Sequence, residues 1–106
     1  MYNTALTFTL KDGAYPGYKK AHDEVWPEIA ASMSDNGVNM AIYPHGNKMF
    51  LHASAPSKGD WDKSREHPAL ARWSDFMKQY IVTDEKGDLV FEELEVAFVF
   101  GIYADS

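Results

Sequence analysis

The chain has 106 residues and no cysteine. That absence excludes disulfide bridges, a thiol nucleophile and cysteine-ligated zinc. Basic residues are also scarce: ten Lys and Arg stand against sixteen Asp and Glu, a net charge of −6. The cationic footprint that nucleic-acid binding needs is missing. No apolar run approaches the roughly 20 residues of a membrane-spanning helix, so no membrane partner is expected. Residues 1–10 lack the basic start and long apolar stretch of a signal peptide. With the missing cysteines, this favours the cytoplasm. The glycines form no phosphate-cradling loop, and no serine stands in a Gly-x-Ser-x-Gly elbow. No two histidines have helical metal-ligand spacing, and no metal is expected.

What is present suits one well-filled core. Hydrophobic residues make up 45% of the chain and aromatics 14%, which argues against disorder. Area scaling gives an unfolded surface of about 17,400 Å² and a folded one of about 6,000 Å². Residues 1–106 are expected to form a single domain.

Alternation of apolar and polar residues predicts a first strand over 5–10, with Leu6, Phe8 and Leu10 on one face. A helix is expected to start near Tyr15 and Pro16, since proline suits a first helical turn. Tyr18, His22, Val25, Ile29 and Met33 follow at helical spacing, broadened by Trp26 and Ala30. Pro27 lies inside that segment and should kink the helix or restart it just after Trp26. Asn36 and Gly37 form a stop. Strands over 38–43 and 49–55 pair through a turn around Pro44–Lys48 into an antiparallel hairpin. A short helix over 58–66 and a longer one over 68–81 follow, the second carrying Leu70, Trp73, Phe76, Met77 and Tyr80. A polar loop over 83–88 leads to a last strand over 93–100, with Val96, Phe98 and Phe100 on one face.

The order βαββαβ is the ferredoxin-like arrangement, an α+β fold with two helices covering one face of a four-stranded antiparallel sheet. The other face would carry Ala41, Tyr43, Phe50, Ala97 and Val99. A half-apolar uncovered face suggests a partner, and a homodimer with facing sheets is expected.

Tyr18 and His22 stand four apart on the helix and are side-chain neighbours. One reading is a hydrogen-bonded pair in the core or at its rim. The other is a pocket with an acid–base histidine beside a hydroxyl, since an ordinary histidine exchanges protons near neutrality. Trp26 and Trp73 are either core residues or platforms for stacking a sugar. Trp61 anchors the short helix. His45 lies in a turn, His52 on a strand face that could meet a partner, and His67 at a helix start. The acidic residues Asp84, Glu85, Asp88, Glu92, Glu93 and Glu95 read as a solvated loop and strand edge.

Residues 18–28 resemble a known signature: Tyr18, three residues, His22, three residues, then Trp26-Pro27-Glu28. This pattern is similar to that of the L-rhamnose mutarotases. Weaker matches follow in order: Gly37, Ala41-Ile42-Tyr43, Arg72-Trp73, Phe76-Met77, Glu93-Leu94 and Phe98. The resemblance covers about residues 5–100. It implies a dimeric α+β barrel that interconverts the α and β anomers of L-rhamnose without a cofactor. It further implies that His22 is the proton donor and that Tyr18 and Trp73 bind the sugar.

Three positions depart from the pattern. A second sugar-contacting tyrosine of the family falls at Met40, and the second tryptophan of a pair falls at Ser74. The loop before the last strand reads Asp84-Glu85-Lys86-Gly87-Asp88 where the family has Asn-Pro-Asp-Asn-Ser-Pro. These changes bear on the substrate more than on the reaction, so L-rhamnose, a related deoxysugar or another aldose are all open. The general base is water, or His22 after a change of state. Two other functions fit the fold: a small monooxygenase or haem-binding protein with His22 as ligand, and a non-catalytic sugar-binding module.

Overall fold

The computed structural model describes residues 1–105. In chain order it contains β1 (Tyr2–Thr9), α1 (Tyr15–Asp23), α2 (Pro27–Asp35), β2 (Asn39–His45), β3 (Lys48–Ala55), α3 (Lys58–Ser64), α4 (Ala69–Met77) and β4 (Glu92–Glu93). A 3₁₀ turn over Gly101–Ala104 ends the described chain. The strands form one antiparallel sheet in the order β2-β3-β1-β4. The expected ferredoxin-like order is therefore present, with each helical connection divided into two helices.

Proline explains the first division. Pro27 has no N–H to continue the ladder, and the residue before a proline is pushed out of the helical region. Trp26 accordingly has φ −59° and ψ 135°, and α2 begins on the proline itself. α2 then closes as a Schellman motif: Val38 N donates to Met33 O at 3.0 Å and Gly37 N to Ser34 O at 3.1 Å. Gly37 sits at φ +67°, and Pro56 lies 3.0 Å from where its Cβ would be. Both facts demand glycine here.

The core lies between the sheet and the helices. Phe8 and Met49 from the sheet meet Tyr18 and Met77 from the helices, joined by Leu10 and Ile81, which pair with each other in a β-bridge just beyond β1 and α4. Alternation in β1 and β3 sends these residues to the covered face. Tyr43 and Phe50, directly paired across β2 and β3, take the opposite face and stay 67% and 39% exposed.

The last strand departs from expectation. Only Glu92–Glu93 pairs with β1, beside Leu6 and Thr7, and Leu94 N adds one bond to Ala5 O at 2.9 Å. Residues 95–100 join no strand. Ala97 and Val99 are thus not on the open sheet face. Alternation predicts extended backbone, but it cannot supply a neighbouring strand. Phe98 and Phe100 are 81% and 80% exposed as a result. The chain returns only at its end, where Asn3 Nδ2 donates to Tyr103 O at 2.8 Å and the Tyr103 ring meets His52 edge to face. The total surface of 6,852 Å² exceeds the roughly 6,000 Å² expected of a compact chain this size.

Candidate active site

A cavity of about 360 Å³ opens between the covered sheet face and the helices. Leu6 and Phe8 of β1, Met40 and Ile42 of β2, and Leu51 of β3 form its floor. Tyr18 and His22 enter from α1, Trp73, Ser74 and Met77 from α4, and Leu89 and Phe91 from the segment before β4. The cavity thus collects Tyr18, His22, Met40, Trp73 and Ser74 from three separate elements.

His22 and Tyr18 hold the polar end. Their ring centres are 4.2 Å apart. His22 Nδ1 lies 2.9 Å from the backbone oxygen of Tyr18. A carbonyl can only accept, so Nδ1 carries the proton and donates it. In the neutral ring, Nε2 is then left bare. Burial pushes the His22 pKa below its ordinary value of 6.5; the hydrogen bond to Tyr18 and the charge of Asp23 oppose this more weakly. Histidine is therefore neutral at pH 7 and offers a basic nitrogen. The Tyr18 hydroxyl moves the other way. Burial, with a smaller contribution from Tyr15, pushes its pKa far above the usual phenol value. Tyr18 stays protonated and can donate but not take up a proton.

A second, smaller cavity reaches the same pair. It shares Tyr18, His22 and Ile42 with the first and is bordered by Tyr15, Lys19 and Asp23. His22 is thus open to space on two sides.

Aromatic rings form the apolar wall. Trp73 stands edge-on to His22, with ring centres 5.2 Å apart. Trp26 is outside the main cavity's lining: it packs edge-on to Trp73 at 5.1 Å and stacks on Phe76 at 5.6 Å. It braces Trp73 from behind. The other singled-out residues have local roles. His67 Nδ1 accepts the N–H of Ala69 at 3.0 Å at the start of α4, as its position suggested. Asp84 Oδ1 accepts from the N–H groups of Lys86 and Asp88, which makes the acidic loop a self-capped turn.

Sequence reasoning missed Trp61 and Arg65, which both line the cavity. The Arg65 guanidinium lies 4.7 Å from the Trp61 ring centre. Their four-residue separation was the available signal, since it makes them neighbours on one helix face. Among the described residues, no group of three or more His, Cys, Asp or Glu side chains could hold a metal ion, and no helix is long and apolar enough to cross a membrane.

Comparison with known proteins agrees with this architecture. The L-rhamnose mutarotase of Tolumonas auensis is 26% identical over 101 residues, covering 92% of this chain and 97% of that protein. The L-rhamnose mutarotase of Clostridium beijerinckii shows the same identity and coverage. The crystal structure of an L-rhamnose mutarotase from Formosa agariphila superposes with a TM-score of 0.78 at 24% identity, covering 95% of this chain and all of that one. A proposed antibiotic biosynthesis monooxygenase from Nitrosomonas europaea shares the fold at a TM-score of 0.67, 13% identity and coverage of 98% and 92%. At that identity the likeness shows the fold alone, and it does not favour the monooxygenase alternative. A family model described as rhaM: L-rhamnose mutarotase matches residues 3–100. The chain belongs to the L-rhamnose mutarotase family.

Proposed function

We propose that this chain exchanges the α and β anomers of L-rhamnose, or of a related deoxysugar or aldose, with its own side chains and no cofactor. The observation that carries this reading is the His22–Tyr18 bond, which leaves a bare, neutral Nε2 in an aromatic cavity. The whole chain would act as one domain in the cytoplasm.

Mutarotation needs one proton to leave the anomeric hydroxyl and one to reach the ring oxygen. Both oxygens are bonded to the same carbon, so one imidazole nitrogen can serve both. In this scheme His22 Nε2 first takes the hydroxyl proton. The anomeric carbon–ring oxygen bond breaks, and the imidazolium gives its proton to the ring oxygen. The open aldehyde turns, and the reverse steps close the ring on the other face. Tyr18, held protonated, donates a hydrogen bond to the sugar. Trp73, braced by Trp26, stacks on the apolar C–H face. Met40 and Ser74 contact the sugar from the floor and from α4. Positioned acid–base groups contribute about 10²–10⁴-fold, enough for a reaction that already proceeds in water.

A homodimer is part of the same proposal. The unpaired stretch after β4 exposes Val96, Phe98 and Phe100, and the open sheet face exposes Tyr43 and Phe50. A second copy would cover both. A solved relative in fold from an uncultured marine organism, at 16% identity, is described as a dimeric ferredoxin-like protein. Saturation transfer between the anomeric proton signals of L-rhamnose, with and without the protein, tests the reaction. Unchanged exchange with every aldose tried would contradict it.

A further inference from the structure

Helix α3 carries one apolar side chain, Trp61, in a sequence otherwise made of glycine, serine and charged residues. The helix is firmly placed. Ser57 Oγ caps it by accepting the Asp60 N–H at 3.1 Å, and Ser32 Oγ of α2 donates to Ser64 O at 2.9 Å. A tryptophan that only pins a helix packs on the core. Trp61 does not. It is half-buried, and it belongs neither to the buried core cluster nor to the side chains packed on that cluster, although Trp73 does. Trp61 lines the main cavity instead. Arg65 follows one turn later, with its guanidinium carbon 4.7 Å from the centre of the Trp61 ring. Among the described residues no carboxylate pairs with it: the ion pairs use Lys19, Lys58, Arg72 and Lys78. Its Nε reaches Ser64 Oγ only at 3.4 Å, and its Nη2 is buried without a partner. Burying a charge in this way is costly. The negative face of the indole is the feature that offsets the cost.

We propose that Trp61 is a second aromatic platform for the sugar, and that Arg65 is the positioning residue that holds its ring. The proposal rests on the sugar reading above and adds a contact on α3 to the one on α4. On α4 the residue beside Trp73 is Ser74, so that helix offers the cavity a single indole. A pyranose presents C–H groups on both of its faces, and an indole is a large, rigid apolar surface for them. The indole N–H can also donate to a sugar hydroxyl. Trp73 stands against His22. Among the described residues Trp61 has no such ring contact, and its partner is the Arg65 guanidinium. Trp61 therefore touches the sugar away from the reacting atoms and acts on binding more than on the chemical step. Arg65 stays in the wall behind this contact and does not meet the sugar itself.

The test begins with the wild-type protein, whose indole N–H signals are followed by proton–nitrogen NMR and assigned with Trp61→Phe and Trp73→Phe. L-Rhamnose and other aldoses are titrated in, and anomer exchange is read on the same samples. The Trp61 and Trp73 signals should shift together, with one shared dissociation constant. A Trp61 signal that stays still while exchange is enhanced would overturn this proposal and leave the anomer-exchange reading intact. A Trp61 shift without enhanced exchange would uphold the platform and sink that reading instead. Kinetics then separate the two residues. Trp61→Leu should raise KM about two- to tenfold, the range of one aromatic contact, with the larger part of the loss in KM rather than in kcat. Arg65→Met should raise KM about two- to fivefold, the range of a cation–π contact, and Arg65→Lys should recover part of it. In a Trp61→Leu background Arg65→Met should add nothing further. The same effect in both backgrounds would overturn the positioning role of Arg65. If Trp61→Leu does not fold, the wild-type titration decides.

Discussion

His22 donates its Nδ1 proton to the backbone oxygen of Tyr18, one helical turn earlier, at 2.9 Å. One bond therefore fixes both the tautomer and the direction of the ring. It leaves Nε2 as the basic nitrogen, on a ring that lines the same cavity as the Tyr18 side chain. The phenol ring packs 4.2 Å away and adds to the desolvation that keeps the imidazole neutral.

That neutrality has a pH signature. The His22 pKa is lowered on folding, chiefly by burial. The unfolded chain therefore takes up this proton at a higher pH than the folded one. Stability from this group is complete above about 6.5, the unfolded value, and declines as pH falls from there to the folded value. The basic form of the ring persists over the same window. Ring-proton NMR of His22 should titrate below the midpoint of a free histidine, and anomer exchange should fall along the same curve on the acid side. A midpoint above 6.5 would contradict the neutral ring.

Trp73 and Trp26 should separate in function. Trp73 lines the cavity and Trp26 supports it from outside. Trp73→Leu should raise KM for the sugar by about tenfold, the worth of one lost aromatic contact. Trp26→Leu should act mainly on stability. A double-mutant cycle in urea should return a coupling of about 0.5–1.5 kcal/mol for the edge-on pair. Equal KM effects for the two variants would place Trp26 at the substrate instead.

Gly17 and Tyr80 make a steric prediction. A Cβ at Gly17 would come within 2.6 Å of Tyr80 Cε1. Helix propensity favours alanine over glycine by about 1 kcal/mol, but overpacking costs about 1–3 kcal/mol. The Tyr80 ring is held by Phe76, 5.9 Å away between centres, so it cannot swing freely aside. Gly17→Ala should destabilise the protein by about 1 kcal/mol net. In a Tyr80→Ala background the same change should be neutral or stabilising. Denaturant midpoints of the four proteins give the answer.

The exposed arm predicts assembly. Sedimentation should find a species of about twice 12.0 kDa. Phe98→Asp with Phe100→Asp should shift it toward the monomer, since both rings are about four-fifths exposed in the single chain. A monomer at all concentrations would remove the dimer from the account.

Much of this was legible in the sequence where the cause is local. Alternation in β1 and β3 set which residues face the helices, and Pro27 marked where the helix restarts. The spacing of Tyr18 and His22 made them neighbours but left open a core pair or a pocket, and it offered Trp26 as a sugar platform, whereas the fold keeps Trp26 out of the main cavity's lining and packs it on Trp73. What escaped depends on distant partners. Residues 95–100 alternate like a strand, but no neighbour within the chain completes the ladder. Arg65 drew no notice in the sequence, because only the fold reveals that it lines the cavity and that its Nη2 is buried and unpaired. Met40 and Ser74 drew notice only through the family pattern, and the fold puts both in the cavity lining.

The most direct test of the central claim is the anomer-exchange rate measured for the wild-type protein and His22→Ala side by side at pH 7.5. L-Rhamnose, L-fucose and other aldoses serve as substrates. The account predicts a rate with at least one sugar well above that in buffer, falling by about 10²–10⁴-fold in the variant. Exchange that survives the loss of His22 undiminished would contradict it.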